Sequence, residues 1–351
     1  MSDHQPKPSL SDPPQDPTAA SRKEDHIEMA FRSQVDRVAL DARFDYEALL
    51  AAHPVPGSLP AFRFGTKTMR APLWVSSMTG GTEKAYTINQ NLGRACAEFG
   101  LGMGLGSCRP LLYGHDRLRD FDIRPVAGPE TPLYANLGVA QVEELLEDGR
   151  MEEISQMVTA LRVDGLIIHV NPLQEAMQPE GDRFRQSPLA IIQATLNALP
   201  TLPLIVKAVG QGMGPASMEA LLKLPLLAVD TAANGGTNFA KLELLRSDEM
   251  LRQAYTPVVN LGHSVEEMVD MANNSVGGAR TQVRCKNLIA SGGVRDFLDG
   301  YYLIQKSRLP AVYGQASAFL RYAREDYGTL QRYVNTQLRG LELAYAYLRV
   351  R

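Results

Sequence analysis

Between His169 and Arg183 the chain gathers an imidazole, three side-chain amides, three carboxylates and a guanidinium. His169 and Asn171 alternate with Val170, so both point to one side of a strand that Pro172 then ends. Two polar side chains on an otherwise apolar strand are costly to bury unless something meets them. The stretch therefore reads as the centre of a ligand site, with Gln174 and Glu175 following at once. Lys207 shares a side with Ile205 in a second apolar run. A lysine aimed into a covered sheet must snorkel to the rim or meet an anion, and a ligand anion fits well.

Glycine-rich turns follow the other apolar runs. They are Ser76-Ser77-Met78-Thr79-Gly80-Gly81, Gly102-Met103-Gly104-Leu105-Gly106-Ser107-Cys108-Arg109, Asn136-Leu137-Gly138 and Asn234-Gly235-Gly236-Thr237. Such turns let backbone amides approach a flat or anionic ligand. Ser291-Gly292-Gly293-Val294-Arg295 and Gly314-Gln315-Ala316 each open a helix, a recurring way to hold phosphate. Together they predict a phosphate-bearing cofactor, FMN first. No G-x-G-x-x-G opens a βαβ unit, which counts against a Rossmann dinucleotide site. Ser21-Arg22-Lys23-Glu24-Asp25-His26 reads from its residues alone as a helix-start salt-bridge set, with an anion clamp as the alternative.

Eight short apolar runs must position these groups: Leu73–Ser77, Leu101–Leu105, Leu133–Asn136, Gly165–Val170, Leu204–Ala208, Leu226–Asp230, Leu288–Ser291 and Ala311–Tyr313. Most are separated by helical patterns, including Ala85–Phe99, Val142–Leu161, Leu189–Leu199, Met218–Leu222, Val265–Ala272 and Val294–Lys306, with Ala316–Arg349 as a helical tail. Continuous apolar runs of this length suit strands covered on both faces. Eight strand–helix units predict a (β/α)8 TIM barrel. An open doubly wound sheet is the alternative, but it would concentrate ligand contacts at one switch point rather than around a rim. The long gap after the sixth strand predicts an insertion. Residues 1–20 read as a disordered tail, 21–70 as an extension covering the barrel mouth, and 71–351 as the barrel with its C-terminal helix.

The 351 residues, 44% of them hydrophobic, suffice for such a barrel, and a net charge of −3 gives no sign of a nucleic-acid or membrane-surface partner. Cys96, Cys108 and Cys285 are too widely spaced for a zinc site or a disulfide framework. No apolar run reaches the roughly 20 residues of a membrane span, and residues 1–20 lack the regions of a secretory signal. A cytoplasmic location is expected.

The motifs taken in order resemble type 2 isopentenyl diphosphate isomerase: Arg22-Lys23 with His26, S-M-T-G-G, G-S-x-R, A-N-L-G, H-V-N-P-L-Q-E-x-x-Q-P-E-G-D-R, I-V-K-x-V-G-x-G-M, G-G-T-N-F and S-G-G-V-R. The resemblance covers about residues 21–320. It implies an FMN-binding (β/α)8 barrel, a homotetramer or larger, that interconverts isopentenyl and dimethylallyl diphosphate. Reduced flavin and Mg²⁺ are required, and NADPH serves to reduce the flavin. It further implies that Arg22, Lys23 and His26, with Ser107 and Arg109, hold the substrate diphosphate, reversing the bland reading of the N-terminal cluster. His169, Asn171 and Gln174 would line the reacting carbons, and Glu175 would bind Mg²⁺. Ser77, Met78, Thr79, Ser107, Asn136, Lys207, Thr237, Gly292, Gly293, Arg295, Gly314, Gln315 and Ala316 would hold FMN. Cys108 stands where the family usually has glutamine, Ala232-Ala233-Asn234 where it has serine and glycine, and Ala208 where it often has an acid.

That chemistry suits the residues. Neither carbon of an isolated alkene is activated by a carbonyl, so ordinary side-chain acids and bases are poorly matched to it. Burying five carbons is worth about 4 kcal/mol, while micromolar binding needs roughly 8 kcal/mol, so contacts to the diphosphate must supply the rest. A rival reading on the same barrel is an FMN-dependent 2-hydroxy-acid oxidase. That chemistry wants a His base beside an Arg after the seventh strand, and here Ser291-Gly292-Gly293 has no His.

Overall fold

A computed structural model describes residues 18–351 except His115, Pro179 and 279–281. It divides into two units, one ending at Phe44 together with Arg351, the other spanning Asp45–Val350. The second unit holds a closed barrel of eight parallel strands: β1 (Leu73–Val75), β2 (Gly102–Gly104), β3 (Leu133–Gly138), β4 (Leu166–His169), β5 (Leu204–Lys207), β6 (Ala228–Asp230), β7 (Asn287–Ser291) and β8 (Ala311–Gln315). Each overlaps its expected run, and the barrel closes between β8 and β1. The expected insertion after β6 is three helices, Phe239–Arg246, Glu249–Val259 and Val265–Gly277.

Two helical expectations divide in the structure. The pattern at 142–161 is two helices, Val139–Glu147 and Glu152–Leu161, separated at Gly149 with φ 66°. The C-terminal tail is likewise Ser317–Ala323 and Tyr327–Tyr347, the second restarted by Asp326, whose side chain accepts from Thr329 N–H. In both places the apolar period runs across the break, so periodicity alone hides it.

Strand alternation stacks the barrel interior in layers. The lower layer is apolar: Trp74, Tyr134, Ile167, Ile205, Ala228, Ile289 and Val312 pack in one buried cluster with Phe64 and Met69. A Cβ on Gly102 would lie 2.4 Å from the Trp74 ring, so only glycine leaves the indole its place. Phe64 and Met69 come from the hairpin Phe62–Phe64 and Lys67–Met69, which seals the N-terminal end. The hairpin falls within 21–70, and its apolar side chains pack into the barrel core. Two residues further along each strand comes a polar layer of Ser76, Asn136, His169, Lys207, Asp230 and Ser291, with Gly104 and Gly314. The fold thus presents its polar groups at the C-terminal ends of the strands.

Residues 1–17 of the expected tail lie outside the described residues, and the helix Ala19–Met29 begins within its last positions. Among the described residues no helix is long and apolar enough to cross a membrane.

Candidate functional site

Two cavities open on the polar layer. The larger, about 450 Å³, lies against the ends of β5 to β8. Its wall contains Lys207, Thr237, the Gly292–Arg295 turn, Gly314–Ala316 and Arg321, and no carboxylate. The smaller, about 130 Å³, is lined by Ser77, Met78, Ser107, Asn136, His169 and Gln174, among others. Ser77, Lys207, Val209 and Phe239 line both.

Beneath Lys207 lies a fully buried carboxylate that the sequence reading passed over. Asp230 Oδ1 accepts from Ser291 Oγ, and its Oδ2, with no hydrogen-bond partner, lies 3.7 Å from Lys207 Nζ. Lys207 also donates to Ala208 C=O at 3.1 Å. The lysine is thus held between a counter-charge and a carbonyl, its ammonium at the junction of the cavities. Alternation did carry a signal for Asp230, which ends the sixth apolar run on the inward side. The hydroxyls of Ser76 and Ser77 are also buried and unpartnered.

The tautomer of His169 follows from its neighbour. Asn136 Nδ2 donates to Leu105 C=O at 3.1 Å, which turns Asn136 Oδ1 toward His169 Nδ1, 2.7 Å away. Nδ1 therefore carries the proton and Nε2 the lone pair. Burial, and then the Lys207 charge, push the imidazole down to about 4, so it is neutral near pH 7.

Below the smaller cavity, Asn171 is a brace. It is 2% exposed and donates to Gln174 Oε1 at 3.2 Å and to Glu175 Oε1 at 2.7 Å. Asn171, expected to line the reacting carbons, initiates the short helix Pro172–Met177, lines neither cavity, and keeps a buried Oδ1 with no hydrogen-bond partner. Glu175 lines neither cavity either, and its second oxygen accepts from Asp182 N–H at 2.8 Å. Gln174 reaches the cavity and donates to Glu243 Oε1 at 3.4 Å. Glu243, buried on the insertion helix Phe239–Arg246 and paired with Arg246 at 2.7 Å, was missed because nothing in its local sequence ties it to Gln174.

Other expected contacts shift. Arg109 pairs with Asp182 at 3.0 Å, and Gln141 donates to the same oxygen at 2.8 Å. Thr79 lines neither cavity; its backbone packs against Gly106, where a Cβ would lie 2.3 Å from the Thr79 oxygen. The helix expected to start at Val294 begins at Phe297, and Asp296 takes the amides of Leu298 and Asp299. That helix end offers a phosphate little; the preceding Gly292–Gly293 turn is what faces the cavity. Gln315 accepts from Tyr333 Oη at 2.8 Å and donates to Val294 C=O at 3.3 Å, so its side chain braces the turn. Arg22, Lys23 and His26 lie on the helix Ala19–Met29 in the first unit, at a spacing that puts them on one face.

Among the described residues no group of three or more His, Cys, Asp or Glu is placed to hold a metal. Each Glu175 oxygen keeps a second acceptor direction, so the fit is to a cation that takes one carboxylate and fills its shell from ligand and water, as Mg²⁺ does.

An isopentenyl-diphosphate delta-isomerase of Rickettsia felis is 31% identical to this chain over 332 residues, 92% of this chain and 90% of the relative. The enzyme of that name from Rickettsia africae is 31% identical over 333 residues, with 92% and 91% covered. The chain belongs to the isopentenyl-diphosphate delta-isomerase family. No protein-family profile matches it. A mandelate oxidase variant with an FMN adduct, 10% identical, superposes with a TM-score of 0.52 over 88% of each chain, which establishes the shared barrel. Membership in the isomerase family agrees with the motif resemblance.

Proposed function

We propose that this chain interconverts isopentenyl and dimethylallyl diphosphate, with FMN in the larger cavity and the five-carbon chain in the smaller. The observation that carries the reading is Lys207, which lines both cavities above Asp230. A wall with three cations and no carboxylate suits an anionic cofactor. Buried unpartnered hydroxyls at Ser76 and Ser77 leave donors for a polar group. The Gly292–Arg295 turn, Gly314–Ala316 and Thr237 would hold the phosphate end; Ser77, Met78, Ser107, Asn136 and Lys207 would hold the ring, with Thr79 backing them. Reduced flavin supplies an electron-rich surface that exchanges protons and stabilises developing positive charge.

The chain's own residues position and exclude. His169, neutral and with Nε2 unprotonated, adds no positive charge beside an alkene that is to be protonated. Gln174 is aimed at the smaller cavity by Asn171 on one side and Glu243 on the other. Through Gln174, Glu243 lies one hydrogen bond from the cavity and fixes which way the Gln174 amide faces. Glu175 would take Mg²⁺ bridging to the diphosphate; Arg22, Lys23, His26 and Arg109 would meet the remaining charge. NADPH would serve as the flavin's reductant and be consumed only to prime it.

The test is incubation of the purified protein with isopentenyl diphosphate, FMN, Mg²⁺ and a reductant, with product analysis. Dimethylallyl diphosphate forming far in excess of reductant consumed is the expected result. No product, or one oxidised substrate per reductant-independent turnover, rejects the reading. The oxidase alternative gains nothing from the mandelate oxidase superposition, since 10% identity carries the fold alone.

A further inference from the structure

Three cations line the larger cavity, and two already face carboxylates: Lys207 stands 3.7 Å from Asp230, and Arg295 Nε lies 3.1 Å from Asp299. Arg321 differs. Among the described residues no carboxylate lies within ion-pairing distance of its guanidinium; its recorded contact is the Tyr322 ring, 5.8 Å away. Its helix, Ser317–Ala323, is fixed to the long C-terminal helix, because Phe319 packs edge-on to Tyr333 at 5.8 Å and Tyr322 stacks on Tyr333 at 4.4 Å. The same Tyr333 holds Gln315, whose amide braces the Gly292–Arg295 turn. The backbone carrying Arg321 is therefore built onto the element that shapes the cavity.

We propose that Arg321 is a cofactor-binding residue that meets the terminal phosphate of the flavin, a role no motif in the sequence marks. The proposal rests on the FMN reading above. Turn amides give a phosphate hydrogen bonds but no net charge, whereas a phosphate monoester carries close to two negative charges at neutral pH. Arginine supplies charge together with forked donors. A guanidinium with no acid beside it gives up no existing ion pair to do so.

The experiment titrates flavin-free full-length protein with FMN and, separately, with riboflavin, which keeps the ring and lacks the phosphate; flavin fluorescence reports binding. For Arg321→Glu the FMN Kd should rise about ten- to thirtyfold, for Arg321→Ala roughly three- to tenfold, and for Arg321→Lys about twofold. Riboflavin Kd should stay within about twofold of wild type for all three, and the melting of the flavin-free variants should match wild type. An unchanged FMN Kd in Arg321→Glu overturns the proposal, and so does an equal loss for riboflavin, which would mark a structural role. If wild type itself failed to bind FMN, the cofactor reading would fall first, a result separable because it appears before any variant is made.

Discussion

The two sides of the barrel mouth meet water on opposite terms. From β5 to β8 the wall is glycine turns, hydroxyls and cations, with no carboxylate. From β2 to β4 the lining also lacks a carboxylate and of this network only Gln174 reaches it, but behind it, joined by the insertion helix Phe239–Arg246, acids and amides already hold one another: Asn171 to Glu175, Asp182 to Glu175 and Arg109, Gln174 to Glu243. A wall of donors without acids attracts an anion by its composition. A network of satisfied acids binds by adding a partner to groups fixed beforehand, and so governs orientation more than occupancy. Lys207 belongs to both.

The sharpest separation should come from Glu175→Gln. Turnover at fixed Mg²⁺ should fall by roughly two to three orders of magnitude while FMN Kd is unchanged; a metal titration matching wild type breaks the division. Acid stability probes the layer the two sides share. His169 titrates in the fold at about 4, below its ordinary value near 6.5. Between those values the unfolded chain takes up the proton and the folded one does not, so stability present above pH 6.5 is lost as pH falls toward 4. The loss is on the order of 3 kcal/mol, and denaturant melts of wild type and His169→Gln across this window should differ in slope.

Removing residues 1–28 should raise substrate KM about tenfold or more with FMN binding intact, and removing 1–18 should not, if Arg22, Lys23 and His26 serve the diphosphate. Equal kinetics for the two truncations would return that helix to a surface role. Lys207→Ala should weaken FMN about tenfold or shift its reduction potential, because a buried counter-charge is lost. Neither change would remove lysine from the cofactor side. The smallest effect belongs to Tyr333→Phe, which frees Gln315 and should raise FMN Kd about two- to fivefold.

What could be read in advance divides along the same line. The eight strands were legible because strands covered on both faces are near-continuous apolar runs, and the cofactor turns because glycines punctuate their ends. Lys207 stood out as a charge on an inward position. The acid–amide network was only half legible: Glu175 and Gln174 lie in one segment, but Glu243 reaches Gln174 from 69 residues away. For Asn171 alternation is a weak guide, since two residues past His169 the backbone has already left the strand at φ −134° and ψ 47°. Arg321 could not be found, since an arginine on a helix face carries the same pattern whether it meets solvent or a ligand.

The floor under the site has a consequence for traffic. With Phe64, Met69 and Trp74 fully buried at the N-terminal end, the barrel is a cup with one opening, and whatever settles on the polar layer arrives and departs by that door. Loading is then a queue: the occupant seated deepest is the first in and the last out. A tightly held inner occupant would survive many rounds of exchange by the outer one, and excess of the outer one would slow, rather than speed, replacement of the inner.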